Sequence, residues 1–162
     1  MLIQTGVFCA DIGFMALKMP NNHSVAVESS TSAIPRLCAQ ILAEIRANNF
    51  SEEDVFAIHL AFEEAFINAI KHGNKMDQTK EVKVEYSVDS EKVEICITDQ
   101  GEGFELHKVP DPRSGVNLYK PEGRGLLLIH SYMDVVEYNE RGNSLRMVRY
   151  REKPPLKTPA RS

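Results

Sequence analysis

The stretch from Ser51 to Gly73 restricts the fold more than any other part of this sequence. Ser51 is a typical helix N-cap with acidic side chains behind it, and Gly73 is a typical residue at which a helix ends. The large apolar side chains between them are Phe56, Leu60, Phe62, Phe66, Ile67 and Ile70. A helix this apolar has to be covered by other elements. The sequence therefore predicts a globular domain built around this helix.

Shorter patterns on both sides of this helix predict the other elements. Residues 23–28 alternate like a strand, and residues 34–45 repeat apolar side chains at helical spacing. Residues 82–97 predict a β-hairpin, residues 125–134 a short helix, and residues 135–150 a second hairpin. This order predicts an α+β fold, a two-layer α/β sandwich whose helices pack on one face of a mixed, mostly antiparallel sheet.

Length and charge limit the domain organisation and the class of partner. The 162 residues suffice for one domain, which we expect over 22–151, with flexible segments over 1–21 and 152–162. Residues 101–124 are rich in glycine, proline and charge, so we expect a lid over about 104–122. The formal net charge of −4 argues against a general nucleic-acid surface, and no stretch is long enough to span a membrane. We expect a cytoplasmic protein with protein or small-molecule partners.

Three polar side chains lie one turn apart on the apolar helix. Glu64, Asn68 and His72 are successive i, i+4 neighbours, so they share one face. Such a stripe either faces water or lines a site. Glu63 lies about 100° around the helix axis and is better explained as a surface charge.

Two later motifs could supply further parts of a site. Asp99 ends an apolar strand and precedes Gly101 and Gly103. Its carboxylate can accept a hydrogen bond from an exocyclic amine such as that of adenine, and the glycines allow a tight turn against a ligand. Gly123 and Gly125 lead into a helix whose first N–H groups can bind phosphate. Taken alone, each motif is also compatible with an ordinary turn or helix start.

The three motifs together have the order found in a known superfamily. The segments "EEAFINAIKHGN" (63–74), "DQGEGF" (99–104) and "GRGLLLI" (123–129) resemble the N, G1 and G2 boxes of the GHKL (Bergerat-fold) ATPases. Within this superfamily, the chain is most similar to bacterial anti-sigma factors that are also serine/threonine protein kinases. The residues that match the motifs of these proteins are Glu64, Ala65, Asn68, Ala69, His72, Gly73, Asp134, Val136, Gly142 and Met147. The resemblance implies a histidine kinase-like ATPase domain over 22–151.

The resemblance also implies roles for individual residues. Asn68 would be the Mg²⁺ ligand, Glu64 the catalytic base and Asp99 the residue that binds the adenine amine. The residues implied to contact ATP are Asn68, Lys71, His72, Asp99, Gly101, Gly103, Gly123, Arg124, Gly125, Leu126 and Ser144.

Some of these assignments have ordinary alternatives. Lys71 and Arg124 could neutralise phosphate charge or form exposed salt bridges, and His72 could simply cap the helix end. Arg36 aligns with an arginine that some family members use to contact their sigma factor, but a solvated helix arginine explains it equally well. The apolar stripe of the first helix could form a dimer surface or the core; its members are Ile34, Leu37, Ile41 and Leu42.

The function implied by the resemblance is that of an ATP- and Mg²⁺-dependent serine/threonine protein kinase that acts as an anti-sigma factor. It would phosphorylate an anti-anti-sigma protein of the STAS type, sequester a sigma factor, and form a homodimer, without direct contact with nucleic acid or membrane. Two alternatives stay open. One is a non-catalytic ATP-binding module that switches protein partners by nucleotide state, and the other is a histidine-kinase-like ATPase.

Overall fold

The computed structural model of the chain describes residues 21–103 and 124–151. The helices in these ranges are α1 (Ile34–Ala47), α2 (Glu52–Asn68) and α3 (Arg124–Tyr132). The strands are β1 (Asn22–Glu28), β2 (Glu81–Val88), β3 (Lys92–Asp99), β4 (Val135–Tyr138) and β5 (Ser144–Tyr150). The predicted lid, Gly123 and the terminal segments 1–20 and 152–162 lie outside the described residues. None of the described helices is long and apolar enough to cross a lipid bilayer.

The five strands form one sheet in the order β1-β2-β3-β5-β4. Each neighbouring pair is antiparallel, with Val84 of β2 opposite Ile97 of β3, and Thr98 of β3 opposite Ser144 of β5. The predicted α+β architecture is confirmed, and the described strands pair only in the antiparallel sense. Because β5 lies next to β3, the end of β3 lies beside the turn that joins β4 to β5.

The apolar helix α2 packs on the sheet as its composition predicts. Phe62 and Phe66 are almost completely buried, in the same core cluster as Val82, Val84 and Tyr86 from one face of β2. The alternation of β2 sends every second side chain to the helices, which is why these three residues share a face. Replacing a buried phenylalanine with alanine typically costs about 3–5 kcal/mol, so this helix–sheet contact is a large part of the stability.

The apolar stripe of α1 belongs to the core of a single chain. Ile34, Leu37 and Ile41 are buried, and Leu42 is partly buried against the same cluster. Of the two alternatives for this stripe, the structure therefore supports core packing, and the buried side chains of Ile34, Leu37 and Ile41 are not available as a dimer surface.

A buried ion pair connects the beginning of α2 to β5. Asp54 Oδ1 accepts hydrogen bonds from Arg149 at 2.7 Å, and Asp54 Oδ2 accepts one from Ser51 Oγ at 2.9 Å. Arg149 also donates to the carbonyl oxygen of Tyr132 at the end of α3. The pair thus fixes two helices against the same strand, which sets how α2 and α3 face each other.

Candidate active site

A cavity of about 410 Å³ contains residues from all three predicted motifs. The predicted residues that line it are Asn68, His72, Asp99, Gly103, Leu126 and Ser144. Ligand pockets for small molecules have volumes of roughly 300–1,000 Å³, so this cavity has room for a nucleoside. Residues far apart in the sequence therefore meet at one site.

The helix that carries Asn68 ends in an unusual turn. α2 continues beyond Asn68 into a single π-helical turn, Ala69–Gly73, and the Asn74 N–H donates to the Ala69 carbonyl oxygen at 2.8 Å. Such π-turns occur frequently at functional sites. The end of the turn coincides with the predicted helix stop at Gly73. Within the turn, His72 lines the cavity, whereas Lys71 is exposed and lies outside its lining.

The side chain of Asn74 fastens this turn to the sheet. It is completely buried, and its Nδ2 donates to Ser29 Oγ at 3.2 Å and to the Glu81 carbonyl oxygen at 2.9 Å. Its Oδ1 accepts the backbone N–H of Gln100 at 2.8 Å. One amide therefore holds the end of the helix beside the loop that follows Asp99. No local sequence pattern indicates this role of Asn74, because none of these partners is its neighbour in the sequence.

We predict that Asn74→Ala lowers the free energy of unfolding by about 2 kcal/mol, since each buried polar group left without a partner costs about 1–3 kcal/mol. Urea unfolding of the full chain measures this loss. Asn48→Ala is the control, because Asn48 donates one partly buried hydrogen bond, to the Glu44 carbonyl oxygen at the end of α1. Equal destabilisation by the two substitutions would contradict the bridging role of Asn74.

Asp99 lies at the cavity with its backbone and carboxylate both fixed. Asp99 Oδ1 accepts the Gly101 N–H at 2.8 Å, and Asn143 makes two hydrogen bonds to the Asp99 backbone. Burial raises the pKa of Asp99, while the Gly101 N–H and the positive charges of Lys80 and Arg141 act in the opposite direction. The result is a partly buried acceptor that a ligand amine can reach.

Glycines allow the chain to approach closely around Asp99. A Cβ atom at Gly73 would overlap the Asp99 carboxylate, and one at Gly101 would overlap the Gly73 carbonyl oxygen. Gly103 has a φ of 78°, in the left-handed region that favours glycine, and it packs on the carbonyl oxygen of Arg141. The end of the helix, the loop after β3 and the β4–β5 turn therefore meet at distances that side chains would not permit.

Glu64 and Asn68 both face the beginning of α3. A Cβ atom at Gly125 would lie 2.7 Å from Glu64 Oε2 and 3.5 Å from Asn68 Nδ2. The structure thus brings the two residues that the sequence placed one turn apart to the first turn of a helix, where free N–H groups attract anions.

Of the remaining predicted residues, one lines the cavity and two are exposed. Ser144 lines the cavity and its Oγ lies 2.7 Å from Thr98 Oγ1. Arg124 is exposed at the first position of α3, and Arg36 is exposed on α1 without contributing to the cavity lining.

Four residues that line the cavity were not predicted from the sequence: Ile97, Tyr138, Asn143 and Leu145. Ile97 precedes Asp99 by two positions in β3, so strand alternation alone could have indicated it. Tyr138 and Asn143 flank the β4–β5 turn and reach the cavity only because β5 pairs with β3. Burial raises the pKa of Tyr138 to about 12.

Comparison with known proteins agrees with this geometry. A sequence model of the histidine kinase-like ATPase domain matches residues 27–149. The chain belongs to this family. Its similarity to serine-protein kinase RsbW from Bacillus licheniformis is 35% identity over 96 residues, which are 54% of this chain and 58% of the relative. The ATPase domain is also 30% identical over 120 residues to serine-protein kinase RsbW from Listeria monocytogenes, covering 70% of this chain and 76% of the relative.

A solved structure supports the fold of the ATPase domain. The crystal structure of the RsbU and RsbW domains of a Mycobacterium tuberculosis protein aligns with a TM-score of 0.52 and 14% identity. The alignment covers 78% of this chain and 31% of the solved chain. At this identity the likeness concerns the fold alone. The chain spans little more than half the length of the Bacillus relative, at 58%.

Membership in this ATPase family implies the use of ATP, and the residues of the site fit that ligand. Ile97 and Leu126 offer apolar walls for a base, Asp99 offers an acceptor for its amine, and Gly125 leaves space beside Asn68. The family resemblance inferred from the three motifs is thereby confirmed, whereas the roles of the individual residues stay predictions.

Proposed function

We propose that the protein is a serine/threonine protein kinase that uses ATP and Mg²⁺ and acts as an anti-sigma factor in the cytoplasm. Its phosphoryl acceptor is an anti-anti-sigma protein of the STAS type, and its alternative partner is a sigma factor. The observation that carries the proposal is the meeting of Glu64 and Asn68 at Gly125, because it directs a carboxylate and an amide at the phosphate side of the site. The relatives named serine-protein kinase RsbW support the same reaction class.

Each residue of the site has a separate role in phosphoryl transfer. Asp99 accepts a hydrogen bond from the adenine amine, and the first N–H groups of α3 bind phosphate oxygens. Asn68 would hold Mg²⁺, which supplies charge neutralisation to the phosphates when bound. Glu64 takes the proton of the acceptor hydroxyl while the new O–P bond forms and the bond to ADP breaks. Catalysis is then mainly positioning and charge compensation.

Phosphorylation would act as a switch between two partners. If both proteins bind overlapping surfaces, each lowers the apparent affinity of the other by mass action. A phosphate on the acceptor adds negative charge to a complex with an acidic protein, since this chain carries a formal net charge of −4. Release of the phosphorylated acceptor then frees the kinase for the sigma factor. The homodimer implied by the resemblance stays a prediction.

The decisive experiment uses the full chain, ATP labelled in the γ-position, Mg²⁺ and a purified STAS-type protein from the same genome. Label is expected on the STAS-type protein. A variant of the STAS-type protein in which the acceptor serine is replaced by alanine should stay unlabelled. If the chain binds ATP and the STAS-type protein without labelling it, the non-catalytic nucleotide switch is the better description. Label that accumulates on a histidine of the chain itself would instead favour the histidine-kinase-like alternative.

We predict that Gly125→Ala lowers the rate of phosphoryl transfer roughly tenfold without destabilising the fold. The added methyl group would lie 2.7 Å from Glu64 Oε2, so the end of this flexible side chain has to move, and a displacement of about 1 Å can cost up to about 100-fold in rate. Alanine is also a better helix residue than glycine by about 0.5–1 kcal/mol. A single-turnover assay combined with thermal unfolding measures both effects. An unchanged rate would mean that the position of Glu64 does not limit the reaction.

A further inference from the structure

A second group of chemically reactive side chains lies between α1 and α2, away from the cavity. Cys38 of α1 faces His59 and Glu63, which lie one turn apart on α2. The imidazole Nε2 of His59 is 3.2 Å from Glu63 Oε1. One ligand atom from each of the three residues lies within 4.8 Å of both others. Glu63, which was predicted to be a surface charge, is therefore half-buried in a cluster.

The spacing of these atoms is close to that of ligands around a zinc ion. Zinc binds sulfur at about 2.3 Å and nitrogen or oxygen at about 2.0–2.2 Å in a tetrahedron, which separates neighbouring ligand atoms by roughly 3.3–3.7 Å. At 3.2 Å, the separation between His59 Nε2 and Glu63 Oε1 lies just below this range, and Cys38 needs a shift of roughly 1 Å. Thiolate, imidazole and carboxylate are also the ligand types that zinc prefers, whereas Mg²⁺ and Ca²⁺ prefer oxygen alone.

Burial gives the cluster a closed side and an open side. Cys38 is buried in the core, while the side chains of His59 and Glu63 are 40% and 39% exposed. A metal ion could thus enter from solvent and keep a water molecule as its fourth ligand. Burial and the negative charge of Glu63 raise the pKa of Cys38 to about 12, so the metal-free thiol is protonated at neutral pH.

We propose that Cys38, His59 and Glu63 bind one Zn²⁺ ion that links α1 to α2. On binding, the Cys38 thiol loses its proton to solvent and a Zn–S bond forms, with no change of oxidation state. The ion would hold α1 against the helix that carries Glu64 and Asn68, on a face about 100° away from Glu64. This site is independent of phosphoryl transfer, so its presence and the kinase activity can be tested separately.

The test titrates the chelator-treated, reduced full chain with Zn²⁺ by calorimetry, and with Co²⁺ by absorption spectroscopy. The variants are Cys38→Ser and Glu63→Gln; the second alters a half-exposed residue and keeps the test valid if the first folds poorly. Glu44→Gln is the matched control. Glu44 Oε1 also lies 3.2 Å from a histidine nitrogen, that of His23, but this pair belongs to no three-ligand group among the described residues.

The expected result is one Zn²⁺ per chain, with at least tenfold weaker binding in Cys38→Ser and Glu63→Gln but not in Glu44→Gln. Calorimetry in two buffers of different ionisation enthalpy should show release of about one proton per Zn²⁺, because the thiol has to be deprotonated. Co²⁺ should give a thiolate charge-transfer band that Cys38→Ser abolishes. Absence of saturable binding to the wild-type chain, or affinity and absorption band unchanged in Cys38→Ser, would overturn the proposal.

Zinc should also raise the thermal unfolding midpoint of the wild-type chain and of Glu44→Gln, because a ligand that binds only the folded state stabilises it. The midpoints measured in chelator show whether each variant is folded before metal is added. A zinc-dependent rise that persists in Glu63→Gln would argue against the three-ligand site, even if Cys38→Ser could not be purified.

Discussion

Glu64→Gln is expected to lower the rate of phosphoryl transfer to the STAS-type protein by about 10²–10⁴-fold, the usual contribution of a positioned general base. Glutamine keeps the size of the side chain but cannot take up the hydroxyl proton. Glu64 does not line the cavity that receives the base, so the affinity for ATP should change by no more than a few fold. The two quantities are measured by single-turnover labelling and by equilibrium titration with ATP.

Glu53→Gln provides the matched control for this prediction. Glu53 is an exposed carboxylate in the first turn of the same helix, so its replacement removes the same charge without touching the site. A full rate in Glu64→Gln would show that another group accepts the proton. A loss of ATP affinity as large as the loss of rate would instead assign Glu64 to ground-state binding rather than to the chemical step.

The sequence predicted those parts of the fold that depend on local patterns. The alternation of apolar residues in β2 and β3 was sufficient to predict their hairpin, and the composition of α2 was sufficient to predict a buried helix. Burial of one face imposes a period on the chain in both cases. The order of the three motifs was sufficient for the family. The strand and helix patterns, and each single motif, lie within segments of fewer than about 20 residues, where local periodicity is informative.

The contacts that assemble the site could not be predicted in this way. Gly73 packs on Asp99, and Asn74 holds Gln100, across separations of 26 residues in each case. Arg149 pairs with Asp54 across 95 residues. Each of these contacts depends on which strand pairs with which, and no local period encodes that choice.

Glu63 illustrates the same limit. Its helical position relative to Glu64 was predicted, and the assignment as a surface charge followed from that position alone. Its partner His59 lies at i−4 and could have been noticed from spacing, but Cys38 belongs to another helix. Only the packing of α1 on α2 brings the thiol to the pair.

Asp99→Asn is expected to weaken the binding of ATP by about 10- to 150-fold, which corresponds to the 1.5–3 kcal/mol of a hydrogen bond to a charged group. Asparagine has nearly the same shape and can still accept the Gly101 N–H, so the loop should keep its structure. Asp89→Asn is the control, because Asp89 Oδ1 accepts the backbone N–H groups of Glu91 and Lys92 at 2.8 Å in the turn at the other end of β3. Unchanged ATP affinity in Asp99→Asn would contradict the assignment of adenine to this carboxylate.

The same carboxylate should give ATP binding a characteristic pH dependence. The ionised form of Asp99 accepts the adenine amine, and protonation removes that acceptor, so the affinity falls as the pH falls through the pKa of Asp99. Because burial raises this pKa above the ordinary value of 3.8, the loss should begin at a higher pH than for an exposed aspartate. Titration of ATP affinity against pH in the wild-type chain and in Asp99→Asn separates this effect from protonation of the phosphates, which both proteins share. If the two curves remain parallel on acidification, the ionisation of Asp99 does not control the binding of the base.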